Sequence, residues 1–245
     1  VNSNAIAGAF GSAWKAGLVA GANYSIINYA SYGLVCLPLY IIDKGLKLGL
    51  SLVWYQAIIK VLYIFIVMYM CKIMKDICNT LDFSEKKGKW TVLCFLTSPI
   101  LLYSSIMITH LDIFSVLFVL LGIRALLQKK LKWELIFFMI AVAYKPFALL
   151  GILPIVLLTE KRVLYLLRNG IVILAGMFLQ SAVYSFDPGF VRIQNYMSKH
   201  YNFIERFFAS GYDATRNVYV INSSYFVIGF ALLCMLAYYT KNVKQ

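Results

Sequence analysis

A few polar side chains stand out because each one interrupts a long apolar run. Asp112 follows His110 at the start of one run, and Lys145 lies between Tyr144 and Pro146 within another. A carboxylate at such a boundary either takes a proton from a substrate hydroxyl or serves only as an N-terminal helix cap. An ammonium beside a helix-breaking proline either binds a phosphate or extends to the edge of the apolar region. Further candidates lie in polar segments: Asp43, His200 and Arg206.

Motifs of several other enzyme classes are absent. The chain has no GxxxxGK[ST] or GxGxxG phosphate loop, no HExxH zinc motif and no GxSxG nucleophile. The two histidines are far apart along the chain, and the five cysteines show no CxxC or CxxH spacing. We therefore expect no metal site, assign no resident cofactor, and interpret the cysteines as packed apolar thiols.

The composition predicts an integral membrane protein. Of 245 residues, 62% are apolar and 13% are charged, with a mean hydropathy of +0.78. A spanning helix needs about 20 apolar residues, so this length allows roughly six to eight crossings. The net charge of +13 is assigned to basic linkers that orient the protein and contact anionic lipid, not to nucleic-acid binding. We predict an all-α polytopic fold of six to eight transmembrane or half-membrane helices.

The hydropathy pattern divides this single domain, residues 1–245, into four parts. They are an outer interfacial segment, a helix bundle, an extracytoplasmic loop, and a last span with a cytoplasmic tail: 1–47, 48–186, 187–218 and 219–245. Gly33 and Pro38 favour a bent, interfacial or re-entrant piece at the end of the first part. A five-lysine stretch is predicted to be a polar cytoplasmic loop, at residues 72–90.

The loop 187–218 carries apolar residues three or four positions apart, which indicates one helix face. These residues are Phe190, Ile193, Met197, Tyr201, Ile204 and Phe208. The pattern predicts an amphipathic helix that either lies on the outer leaflet or docks on the bundle.

Residues 133–158 allow two topologies. As one straight helix they span the membrane, whereas as two half-helices broken at Lys145-Pro146 they enter and leave on the cytoplasmic side. Proline removes a helical hydrogen bond and disfavours helix at the preceding residue. A charge at the bilayer centre also costs ~2.5–3.5 kcal/mol. A hairpin with its tip in a water-filled cavity relieves both problems, and we favour it.

The stretch from 95 to 162 resembles the GT-C superfamily of polytopic glycosyltransferases. It is most similar to the mannosyltransferases that use polyprenol-phosphate-mannose. Ser98-Pro99 lies in one span, His110-Leu111-Asp112 stands where that family has a Gly-Gln-x-Asp-like turn, and Tyr144-Lys145-Pro146 matches a second motif. The resemblance implies a polyprenyl-phosphate sugar as donor, a glycan or lipid as acceptor, and inversion at the anomeric carbon.

The resemblance also implies an acid as base and cations around the phosphate. Residues 1–42 contain no Asp or Glu, so the base is Asp112, Asp43 or an acid preceding Val1, unless the protein is not catalytic. The substrate-binding residues implied are His110, Tyr144, Lys145, His200 and Arg206. We expect a bacterial plasma membrane and an extracytoplasmic site. The alternatives are a non-catalytic polyprenyl-phosphate handler, such as a flippase or accessory subunit, and a small-solute transporter.

Overall fold

The computed structural model describes residues 26–101, 112–185, 211–213, 218–220 and 224–240. Its helices in chain order are α1 (Ile26–Leu46), α2 (Leu52–Thr80), α3 (Glu85–Leu96), α4 (Asp112–Leu127), α5 (Leu131–Tyr144), α6 (Leu149–Thr159), α7 (Val163–Tyr184) and α8 (Ser224–Tyr239). Short helical turns lie at Pro99–Leu101 and Pro146–Ala148. Two short antiparallel strands, β1 (Gly211–Asp213) and β2 (Val218–Val220), are the one described departure from a helical fold.

Two of the described helices are long and apolar enough to cross a membrane. They are α2 and, within α7, residues Val163–Val183, and most of their residues lie on the outside of the structure. Large apolar side chains on these helices, such as Phe65 and Ile171, are more than half exposed. The figure of six to eight spans stays a prediction.

The prediction of a polar loop at residues 72–90 is wrong. Helix α2 continues to Thr80 and α3 begins at Glu85, leaving only residues 81–84 as the link. The helix continues because Ile73 and Cys78 extend its buried face, while Lys72 lies on the exposed face. Charged side chains therefore mark the outside of a helix here and not a loop.

Helix α1 is continuous, which contradicts the re-entrant alternative expected from Gly33 and Pro38, while the bent and interfacial alternatives stay predictions. It is a single helix of 21 residues with Pro38 inside. Its Asn28, Tyr32 and Cys36 are buried. Their spacing of four residues places them on one face, which packs against the bundle.

The helix break predicted at Lys145-Pro146 is confirmed. Helix α5 ends at Tyr144, Lys145 is extended with φ −151° and ψ 115°, and the chain then makes a helical turn into α6. The break at Ser98-Pro99 is also present, because α3 ends at Leu96 and helix resumes at Pro99. Both breaks follow from the proline ring, which restricts the preceding residue to extended backbone.

Contacts at successive levels give the directions of the helices. The Tyr63 and Phe114 rings are 5.8 Å apart, and Asp76 pairs with Arg124 at 3.1 Å, so α2 and α4 run the same way. Ser115 donates a hydrogen bond to the carbonyl of Ala141 at 2.9 Å, near the start of α4 and the end of α5. Helices α4 and α5 are therefore antiparallel.

Helix α7 runs in the same direction as α5. Gly176 lies against Met139 and Ala143, and Gln180, one turn further along α7, donates to the Ala143 carbonyl at 3.0 Å. The chain must therefore return to the starting end of α5 before α7 begins, and α6 makes that return. The structure has the broken hairpin and not the straight helix.

The bundle consequently has two unlike ends. The basic end contains the linkers 81–84, 128–130 and 160–162, with Lys86, Lys87, Lys129, Lys130 and Lys161 in or beside them. The opposite end contains Asp112 and Lys145, about 20 Å away as judged from the thirteen residues between Tyr63 and Asp76. The expectation that the basic end faces the cytoplasm stays a prediction.

The close approach of α4 and α5 depends on Gly122. A Cβ added there would overlap the ring of Phe138, which is fully buried, whereas nothing lies within 4 Å of such an atom at Gly170 in α7. Gly122→Ala should lower stability by about 1–3 kcal/mol through overpacking, while Gly170→Ala should leave it unchanged or raise it. Thermal unfolding of the detergent-solubilised variants measures both. A Gly122→Ala protein as stable as wild type would contradict this packing.

Candidate functional site

Asp112 and Lys145 form an ion pair at the end of the bundle opposite the basic linkers. The Lys145 Nζ lies 2.9 Å from the Asp112 Oδ1, and their side chains are 24% and 45% exposed. Asp112 occupies the first turn of α4, where the helix dipole favours a negative charge. Both side chains are thus partly exposed, although the Asp112 Oδ1 itself is buried, and α4 and α5 fix the backbone on either side.

The break after Tyr144 leaves backbone carbonyls of α5 without helical partners, and two amide side chains bind them. Asn28 of α1 donates its Nδ2 to the Tyr144 carbonyl at 3.1 Å, and Gln180 of α7 donates its Nε2 to the Ala143 carbonyl at 3.0 Å. The last carbonyls of any helix need such partners when they are buried. These two bonds fix the backbone that carries Lys145.

Gln180 makes a second contact that joins a third helix. Its Oε1 accepts a hydrogen bond from the backbone N–H of Ile27 at 3.3 Å, at the start of α1. That N–H is one of the donors that the first turn of a helix leaves unpaired. One side chain therefore connects α7 to both α5 and α1 beneath the ion pair.

Tyr144 is buried beside this backbone and does not point outward. Its hydroxyl lies 2.5 Å from the Ser31 hydroxyl, and its ring stacks on Phe114 and Phe118 with centroids 5.3 and 5.7 Å away. Aromatic pairs at such distances stabilise a core beyond simple burial. We had expected Tyr144 among the substrate-binding residues, but its contacts make it a positioning residue for Lys145.

Asp43 lies elsewhere. It accepts hydrogen bonds from the Leu50 backbone N–H at 2.8 Å and from the Tyr55 hydroxyl at 3.1 Å. The bond from Leu50, followed by that from Tyr55, lowers the pKa of the Asp43 carboxyl. Eight residues of α2 separate Tyr55 from Tyr63, so Asp43 lies about 12 Å beyond the level of Phe114, which adjoins Asp112. Asp43 thus closes the α1–α2 link, and the structure does not bring it to the ion pair.

Three candidate residues, His110, His200 and Arg206, lie outside the described residues, as does the amphipathic helix expected within 187–218. In the part of the chain that the structure describes, no three His, Cys, Asp or Glu side chains are grouped as metal ligands. Of the expected site, the described residues contain Asp43, Asp112, Tyr144 and Lys145, and of these only Asp112, Tyr144 and Lys145 lie together.

Sequence reasoning missed the residues that support Lys145. Asn28, Ser31 and Gln180 lie in apolar helices, and each reaches the end of α5. One signal was present, because Asn28 and Ser31 are three residues apart on one face of an otherwise apolar segment. The residues that they contact could not be predicted from the sequence, since these contacts depend on how α1 and α7 pack.

The bonds of Gln180 provide a test of this support. Gln180→Leu keeps the apolar bulk but removes the partners of the Ala143 carbonyl and the Ile27 N–H. Leaving one such group unsatisfied costs ~1–3 kcal/mol, so we expect a clear fall in the thermal midpoint. Ser181→Ala is the matched control, because Ser181 is exposed and bonds only within its own helix. Equal midpoints for Gln180→Leu and Ser181→Ala would contradict the role given to Gln180.

No protein-family model, curated protein or solved structure matches the chain. The resemblance to the GT-C superfamily is therefore one of short motifs. The functional assignment rests on the geometry around Asp112 and Lys145.

Proposed function

We propose that the protein is an integral membrane glycosyltransferase that moves a sugar from a polyprenyl phosphate to an acceptor hydroxyl. The observation that carries this proposal is the partly exposed Asp112–Lys145 ion pair on a proline-broken helix, at the end of the bundle away from the basic linkers. It supplies an acid and a cation 2.9 Å apart, and the resemblance described above assigns these two roles to the same motifs.

The surroundings of Lys145 suit a lipid phosphate. Pro146 and Phe147 follow it directly, and the Phe147 side chain is 72% exposed. An isoprenoid chain could lie on this apolar surface while its phosphate meets the ammonium. Lysine binds phosphate as a compact point charge, and bound phosphate offsets the cost of holding that charge away from bulk water.

In the reaction we propose, the acceptor hydroxyl attacks the anomeric carbon from the face opposite the phosphate. A new carbon–oxygen bond forms, the anomeric carbon–phosphate oxygen bond breaks, and its electron pair leaves with the phosphate. Asp112 takes the hydroxyl proton, while Lys145 stabilises the charge that develops on the leaving group. The configuration at the anomeric carbon is therefore inverted.

The ion pair gives this mechanism an entry step. While Lys145 binds Asp112, neither group is available for its chemical role. A donor phosphate competes with the Asp112 carboxylate for the ammonium, and its binding releases Asp112 toward the acceptor. The donor thus activates the base that will act on the second substrate.

A second candidate is a non-catalytic handler of polyprenyl phosphate. The closed ion pair favours it, because Lys145 would suffice for phosphate binding and Asp112 would only hold Lys145 in the empty site. The two candidates share a ligand and differ in whether a sugar is transferred.

Asp112→Asn separates these candidates, because it keeps size and capping ability while removing the charge. If Asp112 is the base, release of isoprenyl phosphate from a panel of isoprenyl-phosphate sugars should fall by ~10²-fold or more. Binding of farnesyl phosphate should become tighter, since the competing carboxylate is gone. Asp82→Asn, at the basic end, should change neither quantity.

The outcomes distinguish the glycosyltransferase from the non-catalytic handler. Tighter binding in Asp112→Asn without transfer in the wild type would support the handler. Unchanged transfer in Asp112→Asn would show that this carboxylate is a helix cap and not a base.

Lys145→Gln tests the phosphate site itself. Removing the charge should weaken binding of farnesyl phosphate by about tenfold or more. Lys145→Arg should retain part of it, since the charge remains but its shape differs. Binding of uncharged farnesol controls for the apolar surface, and Lys44→Gln removes an exposed cation elsewhere. If Lys145→Gln binds farnesyl phosphate like wild type at equal thermal stability, Lys145 does not bind phosphate.

A further inference from the structure

Helix α3 has one face on the bundle and one face outside. Gly88 is buried, and a Cβ added there would contact Cys78 of α2 at 3.6 Å, so this side of α3 packs closely on α2. Trp90 lies on the outside and is 57% exposed, and Leu93 is 46% exposed. Helix α3 begins at the basic end and runs back along α2, away from that end.

Two hollows flank Trp90 on this outer face. One has a volume of about 330 Å³ and is lined by Glu85, Lys86, Lys89, Trp90 and Leu93. The other, of about 660 Å³, extends past Lys87 and Phe83 to Cys94. Lys86 and Trp90 belong to both linings, and they are one helical turn apart on the same face. Neither hollow borders the Asp112–Lys145 pair.

The charged side chains on the outer face of α3 give it a net positive charge. Lys89 pairs with Glu85 at 2.7 Å, so the acid at the start of α3 is already neutralised by a neighbour. In the described part of the chain, no ion pair involves Lys86 or Lys87. Both ammonium groups are therefore available to an anion, and they lie in the first turn of α3, where the helix dipole also favours negative charge.

We propose that this face of α3 binds the headgroup of an anionic phospholipid, with Lys86 and Lys87 on the phosphate. The order of side chains along the helix matches such a lipid. Charge comes first at Lys86, then the amphipathic ring of Trp90, then apolar Leu93, within about 11 Å of helix. This is the sequence from headgroup to interface to acyl chain. The site rests on the membrane location proposed above and is independent of sugar transfer.

An acidic protein segment would satisfy the lysines but would not use the rest of the face. Trp90 and Leu93 provide apolar surface that continues along the outside of α3, away from the basic end. A peptide outside the membrane would not reach this surface. The lysines also share the basic end with Lys129, Lys130 and Arg162. Anionic lipid of the facing leaflet is attracted to clusters of this kind.

Trp90 serves as the reporter for the test. A protein with Trp14, Trp54 and Trp133 replaced by Phe retains only this tryptophan. It is reconstituted into phosphatidylcholine vesicles that contain chain-brominated phosphatidylglycerol or, in a parallel set, chain-brominated phosphatidylcholine. Bromine quenches tryptophan on contact, so the difference in quenching measures enrichment of the anionic lipid beside Trp90.

We expect brominated phosphatidylglycerol to quench Trp90 more strongly at equal content. Lys86→Gln combined with Lys87→Gln should reduce the preference by up to roughly 30-fold, from the attraction of two lysines. Lys130→Gln combined with Lys132→Gln, which removes the same charge from exposed positions at and just after another linker, should leave it unchanged. Thermal unfolding confirms that each variant is folded.

The contrary outcomes have different meanings. Equal quenching by the two lipids, or equal loss in both lysine pairs, would overturn the site and leave only a diffuse basic surface. Absence of quenching by either lipid would place Trp90 away from the bilayer and overturn the membrane arrangement as well. If an acidic peptide bound to this face and neither lipid were preferred, the face would be assigned to a protein partner.

Discussion

Pro146 has no backbone N–H, and its ring restricts Lys145 to extended backbone, so helix α5 has to end at Tyr144. Three features of the structure follow from this constraint. The chain turns back through α6, the last carbonyls of α5 require new partners, and Lys145 leaves the helix with its side chain facing outward. Asn28 and Gln180 supply the partners from α1 and α7. A covalent feature of one residue thereby determines how three helices meet.

The ion pair is balanced between holding and releasing Lys145. A surface pair contributes only about 0–1 kcal/mol to stability, but the Asp112–Lys145 pair is partly covered, since its side chains are 45% and 24% exposed and the Asp112 Oδ1 is buried. A deeply buried pair would be different, because removing one partner would leave an uncompensated charge. In the proposed reaction, the phosphate replaces the Asp112 carboxylate as the partner of Lys145, so that the ammonium keeps a negative neighbour throughout. The backbone below is held more firmly, since the Asn28 bond to it is buried and the Gln180 and Ser31 bonds are partly buried.

The sequence was informative where a local rule decides the structure. The breaks at Pro99 and Pro146 were predictable because proline acts on its immediate neighbour, and the hairpin followed from the cost of Lys145 at membrane depth. The loop expected around Lys72 failed for a reason that is also local, since a helix accepts lysines on an exposed face while Ile73 continues its core. The parts played by Asn28, Tyr144 and Gln180 depend on contacts between residues more than thirty positions apart. No pattern within one helix contains that information.

The positions of the cations distinguish two roles, membrane orientation and phosphate recognition, which the net charge alone does not distinguish. Lysines of the basic end lie on linkers and exposed helix faces, where their number matters more than their exact positions and where the partner we propose is anionic lipid. Lys145 differs, because its backbone is fixed by buried hydrogen bonds and its ammonium already has a defined acidic neighbour at 2.9 Å. Precise placement of a charge contributes little to membrane orientation, but it is what recognition of a single phosphate and transfer at a single carbon require. The geometry, and not the amount of charge, is therefore the reason to locate the chemistry at Lys145.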